Sequence, residues 1–267
     1  MTKTVASILA AFVRAFSRLF GSTRYNLISL ETFKQLTPIL VVKSPTNTDL
    51  RFYIPSVECY YQTKNLYSRE PETIEWINTF RPQEVLWDIG ANIGLYSVYA
   101  LKKEMTVFSF EPQPTNYYWL TQNIFLNKLE RNSTTFSFGV DKTTKIDEIY
   151  FNAEDSGKTL AQKSDHHHGF KACIFEMDNF SKILKLSIPN HIKIDIDGME
   201  NNVIIGMQDI LCQKSVKSVL IEINNNTSEI HNLLTKNNFI ISREPKVGDR
   251  QRRGVPVRGP NFIYVKK

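Results

Sequence analysis

The chain has 267 residues, 42% apolar and 22% charged, and a formal net charge of +6, so it can fill a globular core and is neither disordered nor fibrous. Cys59, Cys173 and Cys212 share no short spacing, which excludes a disulfide framework and a zinc knuckle and fits a reducing compartment. The positive charge lies at two ends. Residues 1–30 carry Lys3, Arg14, Arg18 and Arg24 and no acid, residues 243–258 also sum to +4, and the rest of the chain sums to −2, which excludes a generally basic, nucleic-acid-coating surface.

Residues 5–20 read as a helix. At 100° per residue Val5, Ile8, Leu9, Phe12, Phe16, Leu19 and Phe20 fall within an arc of about 120°, opposite Lys3, Arg14 and Arg18. Gly21 would end it. It is too short and too basic to span a bilayer, which takes about 20 apolar residues. Arg14 and Arg18 interrupt what a signal peptide keeps apolar. Two readings of its apolar face stay open: a peripheral membrane contact, or docking on its own core or on a second subunit of a homo-oligomer.

Strands are expected at Ile39–Lys43 and Leu50–Ile54, and a helix at Pro71–Phe80. Alternation then begins, with strand 85–89, helix 93–103, strand 106–110, helix 114–128 and strand 134–138. A polar stretch, 152–169, separates these from strand 172–176, helix 178–185, strand 191–196, helix 200–212, strand 216–222, helix 227–237 and strands 238–242 and 261–265. This rhythm predicts an α/β fold, a mostly parallel sheet with helices on both faces and an antiparallel end.

The first constellation lies at residues 85–94. An apolar strand ends in Asp88, turns on Gly90 and enters a helix past Gly94, and the next strand ends in Glu111. Glycine permits the turn at Gly90, and at Gly94 it is expected to let the helix approach a cofactor. A dinucleotide site wants Gly-x-Gly-x-x-Gly around a pyrophosphate. The spacing here is Gly90-x-Asn92-x-Gly94 behind a carboxylate, which suits the ammonium of S-adenosylmethionine better. Glu111 is placed to accept ribose hydroxyls.

The second constellation is His191 to Glu200. In a strand Lys193, Asp195 and Asp197 share one face, at the carboxyl end where α/β enzymes place ligands. Such a group could be a general base, or could bind a divalent cation with Glu222 or Glu200. His166-His167-His168 in the polar stretch is a lesser candidate for substrate contact. Arg252 and Arg253 in the basic loop could hold a phosphate on the acceptor.

The segments Glu70-Pro71-Glu72-Thr73, DIGANIGLYS (88–97), FEPQP (110–114), Met177-Asp178, KIDIDGME (193–200), IEI (221–223) and Asn261–Val265 together resemble the FkbM-type S-adenosylmethionine-dependent methyltransferases. Where that family usually has a glutamate, this chain has the shorter Asp197. The resemblance implies a class I methyltransferase (Rossmann-like) fold over 81–267, behind an amphipathic helix at 1–24 and an extension at 25–80. It also implies O-methylation of a sugar in a surface glycan or glycolipid precursor, or of a secondary metabolite. It assigns the cofactor to Asp88, Gly90, Asn92, Gly94 and Glu111, with Asp195 facing the methyl group and Asp141 a weaker candidate for the adenine. Asp195 is the expected base, with Asp197 and Lys193 setting its charge, and a cation on Asp195, Asp197 and Glu222 is the rival way to acidify the hydroxyl. The acceptor is expected to be a saccharide, phosphorylated or lipid-linked, met in the cytoplasm or at the inner membrane face. RNA 2′-O-methylation is the second reading, weakened by the neutral body.

Overall fold

The structure, a computed structural model, describes residues 2–44, 49–151, 159–160, 168–196, 198–223, 227–244 and 260–267. It contains two compact units, Met1–Ile39 and Leu40–Lys267. The division falls between 39 and 40 rather than at 24 and 80. Leu50, Phe52, Leu66, Ile74 and Ile77 share one core with Leu86, Val98 and Val107 of the sheet domain, so residues 40–80 are part of it.

The first unit is a pair of helices, α1 (Thr2–Arg18) and α2 (Ser22–Leu36). Gly21 separates them at φ +85, a left-handed backbone that glycine adopts without strain. α1 follows the apolar periodicity, whereas α2 was not legible because its leucines are spread around the helix.

The second unit opens with β1 (Ile39–Val42) and β2 (Leu50–Tyr53), paired with each other. Three short helices follow: α3 (Val57–Lys64), α4 (Leu66–Arg69) and α5 (Pro71–Asn78). The Ser56 hydroxyl caps α3 by accepting from the Cys59 amide, and Pro71 starts α5 where its missing N–H has no partner to lose. Then come β3 (Val85–Ile89), α6 (Leu95–Lys102), β4 (Thr106–Phe110), α7 (Pro114–Leu126) and β5 (Ser133–Phe136). The rest of the chain supplies β6 (Gly139–Val140), β7 (Lys145–Phe151), β8 (Thr159–Leu160), β9 (His168–Phe175), α8 (Met177–Leu184), β10 (His191–Ile194), α9 (Glu200–Ile205), α10 (Gln208–Cys212), β11 (Ser218–Glu222), α11 (Thr227–Lys236), β12 (Phe239–Arg243) and β13 (Asn261–Lys266).

The main sheet has the order β12-β13-β11-β10-β3-β4-β5. β11, β10, β3, β4 and β5 are parallel, and β13 runs antiparallel between β11 and β12. This is the mostly parallel α/β sheet with an antiparallel C-terminal strand that the sequence predicts. The chain leaves β3 towards β4 and β5 and returns on the other side at β10, so the strand order reverses there and a crevice opens at the carboxyl ends of β3 and β10.

Alternation along the strands sorts the chemistry. Trp87, Ile89, Ile192, Ile194 and Ile221 bury under α9 to α11, while Leu86, Val107, Leu220 and Ile263 bury under α5 to α7. Asp88, Ser109, Lys193 and Glu222 lie in the second phase, so the polar groups near the strand ends all face the α5–α7 side.

Three expectations change. The strand at 172–176 is β9, and it belongs to a separate sheet of order β6-β9-β7-β8, where it pairs antiparallel with β7. The single helix at 200–212 is two, broken at Gly206, where a Cβ would stand 2.5 Å from the Asp141 carbonyl oxygen. β10 ends at Ile194 rather than 196, because its neighbour β3 ends at Ile89, and the Asp195 amide makes the last bond, to the Ile89 carbonyl at 3.0 Å.

Candidate active site

Gly90 leaves β3 at φ +81, and its amide and that of Ala91 both donate to the Phe110 carbonyl, at 3.0 and 3.1 Å. The turn is thereby laid across the end of β4. A Cβ on Gly90 would stand 2.0 Å from the Asp195 carbonyl oxygen, so only glycine lets this turn meet the end of β10. Gly94 sits at φ +86, a left-handed backbone that glycine adopts without strain, and a Cβ there would lie 2.5 Å from Leu120 Cδ1, which would have to shift.

Glu111 follows β4 and is 3% exposed. The Asn92 amide donates to its Oε2 at 2.8 Å and the Gln113 amide to its Oε1 at 2.9 Å. Burial pushes its carboxyl up to about 7, against the pull of these amides. Asp88 is buried behind the turn. Its Oδ2 accepts from the Ser97 hydroxyl at 2.5 Å and its Oδ1 lies 3.8 Å from Lys193 Nζ. Burial raises its pKa, and the Lys193 ammonium opposes that.

Lys193 is 1% exposed and donates to Asp195 Oδ2 at 2.7 Å. Burial alone would lower its pKa, but Asp195, Asp88 and Glu70 together reverse this, and it is held above the usual lysine range. Its ammonium also sits 5.0 Å from the centroid of the Tyr96 ring.

The crevice opens to solvent and has a cavity volume of about 30 Å³. Gly90, Ala91, Asn92, Lys193 and Asp195 line it from the sheet, and Gln62, Arg69, Glu70, Leu95 and Tyr96 line it from α3 to α6. Carboxylate oxygens of Glu70, Asp195 and Glu222 lie within 4.8 Å of one another, a donor set of the kind that holds a hard or an organic cation. The Arg69 guanidinium is 3.6 Å from Glu70. Burial and the adjacent Glu70 carboxylate keep the Tyr96 phenol protonated.

The structure therefore brings Asp195, Lys193, Gly90 and Asn92 into one crevice, with Glu222 beside Asp195, Asp88 behind Lys193, and Glu111 next to its edge on the Asn92 amide. Asp141 does not line it, and its carboxylate is paired with Lys145 at 2.9 Å. Glu200 accepts the Gly198 amide at 3.0 Å and stands outside the carboxylate trio. Asp197, His167, Arg252 and Arg253 lie outside the described residues. Sequence reasoning missed a role for Gln62, Arg69, Glu70 and Tyr96. The one local signal was Pro71, which makes Glu70 the residue before a helix; its distance to Asp195 has no local signature. His191 is buried at the opposite, amino end of β10, stacked on Phe80 with ring centroids 3.5 Å apart, and burial lowers its pKa to about 4. It is part of the frame.

Comparison with known proteins gives three findings. The family model described as the methyltransferase FkbM domain matches residues 88–241. A hexuronic acid methyltransferase AglP of Haloferax volcanii is 25% identical over 173 residues, covering 65% of this chain and 70% of the relative, and a tRNA (guanine(37)-N(1))-methyltransferase of Schizosaccharomyces pombe is 29% identical over 107 residues, covering 40% of this chain and 23% of the relative. Among solved structures, methyltransferase FkbM from Methylobacillus flagellatus is similar at 17% identity and a TM-score of 0.46, over 70% of this chain and 44% of that one.

Proposed function

The chain belongs to the FkbM methyltransferase family, and from that premise we propose that it is an S-adenosylmethionine-dependent O-methyltransferase whose acceptor is a sugar hydroxyl of a surface glycan or glycolipid precursor. The observation that carries this is the sign of the crevice. Glu70, Asp195 and Glu222 face only Lys193 and Arg69 among the described residues that build it, an acidic setting that favours a cation and repels a pyrophosphate. S-adenosylmethionine, when bound, would supply an electrophilic methyl group on a positively charged sulfur.

The remaining work falls to the chain. Glu111 accepts the ribose hydroxyls. Arg69 and Glu70 carry the two charges that complement a free amino-acid end, a carboxylate and an ammonium. Asp195 takes the acceptor proton, while Lys193 keeps it charged and in place. The leaving group is already good, so most of the rate comes from aligning the hydroxyl. The similarity to a protein named as a hexuronic acid methyltransferase supports a sugar acceptor. The relatives named as tRNA methyltransferases favour RNA as the second reading, against which stands an acidic crevice facing a phosphate backbone.

The test is calorimetric titration of S-adenosylmethionine and of NAD⁺, followed by turnover on uronic-acid oligosaccharides and on tRNA. Selective S-adenosylmethionine binding and salt-insensitive sugar methylation are expected. Tight NAD⁺ binding, or tRNA methylation that weakens steeply with salt, would reject the proposal. Full turnover by Asp195→Asn with an unchanged pH profile would remove Asp195 as the base. Loss of activity in excess EDTA would put a cation on the carboxylate trio.

A further inference from the structure

We infer that the N-terminal helix pair is a docking surface for an anionic phospholipid bilayer. The inference rests on the first unit alone and does not depend on the methyl-transfer reading. Ile8, Leu9, Phe12, Phe16, Leu19 and Phe20 on and just after α1 are between 45% and 79% exposed and form one apolar stripe along the helix. Phe12 stacks on Phe16, and Phe16 meets Phe20 edge to face, so the stripe is organised and presents aromatic rings. An exposed stripe of this size marks a contact surface.

The occupant follows from charge and length. At 100° per residue Lys3, Arg14 and Arg18 lie on the face opposite the stripe, and the helix pair carries Arg24 and Lys34 as well against Glu31 alone, so it is strongly positive. No described helix is long and apolar enough to cross a membrane. α1, at 17 residues, would reach about 25 Å, short of a hydrocarbon core of about 30 Å. A helix with an apolar stripe and a basic opposite face that cannot span lies in the interface, its rings among the acyl chains and its positive charge drawn to the anionic surface. A second copy would gain from the apolar stripe but would bring like charge against this positive unit.

The test is co-sedimentation of the full chain with phosphatidylcholine vesicles, with and without phosphatidylglycerol. Binding is expected only with the anionic lipid, and it should fall with salt. Phe12→Asp with Phe16→Asp should abolish it. Arg14→Gln with Arg18→Gln should weaken it about 25-fold, taking the usual contribution per basic residue near an anionic surface. Both pairs are on the helix surface, so circular dichroism and S-adenosylmethionine affinity should stay at wild type. Failure to sediment, or sedimentation that ignores either pair of substitutions, would overturn the inference. So would a concentration-dependent dimer in sedimentation velocity that Phe12→Asp with Phe16→Asp dissolves without any vesicle binding.

Discussion

Replacing Lys193 by methionine tests whether the crevice is held together by a buried charge. The side chain is 1% exposed, and it stands 3.8 Å from Asp88 Oδ1 and 2.7 Å from Asp195 Oδ2. Asp195 is partly exposed and can recover its loss from water, so the cost concentrates on Asp88, itself 1% exposed. At 3.8 Å and an effective dielectric constant of about 20, the lost attraction is about 4 kcal/mol. That agrees with the roughly 3–5 kcal/mol typical of removing one partner of a buried pair. For a protein of this size the melting temperature should fall on the order of 10 °C. Burial already raises the Asp88 pKa, and without Lys193 it rises further. The folded state then holds a proton that the unfolded chain releases, so stability increases as pH falls through that window. Urea unfolding at pH 8 and pH 5 should therefore show a deficit in Lys193→Met that shrinks at the lower pH. Adding Asp88→Asn should restore most of the stability, a strong coupling in the double-mutant cycle. A single-mutant loss under about 1 kcal/mol, or losses that simply add, would refute the reasoning.

Three other outcomes follow from the same geometry. S-adenosylmethionine affinity, read by calorimetry, should weaken as pH drops through about 7, because the raised Glu111 carboxyl takes up a proton there and loses its capacity to accept two hydroxyls; a flat profile from pH 6 to 8 in the wild type would show that Glu111 does not touch the ribose. Gly90→Ala places a Cβ 2.0 Å from the Asp195 carbonyl oxygen at φ +81, so it should cost upwards of about 2 kcal/mol and abolish cofactor binding, and wild-type affinity in a folded variant would contradict the close approach. Arg69→Gln should weaken S-adenosylmethionine binding about 10- to 100-fold, the worth of a hydrogen bond to a charged group, and leave 5′-methylthioadenosine, which lacks the amino-acid end, unchanged. Equal effects on both ligands would mean that Arg69 acts on the fold of the crevice.

Much of this molecule was legible along the chain. Strands 85–89 and 106–110 were placed to the residue, because their alternation and their acidic or glycine ends are local signals. The same signals located Gly90, Glu111, Lys193 and Asp195, since a ligand in a parallel sheet must lie where strands end. What the sequence left open are relations between distant segments. Glu70 precedes a short helix, Asp195 follows a central strand and Glu222 ends the next, and only the folded sheet carries their oxygens to within 4.8 Å of one another. Gly94 was legible as a glycine that lets a helix approach a cofactor, and the structure holds it at φ +86, a left-handed backbone ahead of α6. β9 has the composition of any half-buried strand, and its assignment to a second sheet is decided by pairing with β7, which a one-dimensional pattern does not encode. Local stereochemistry and periodicity are properties of neighbouring residues and survive in the sequence, whereas the carboxylate cluster is made by packing and exists only in three dimensions.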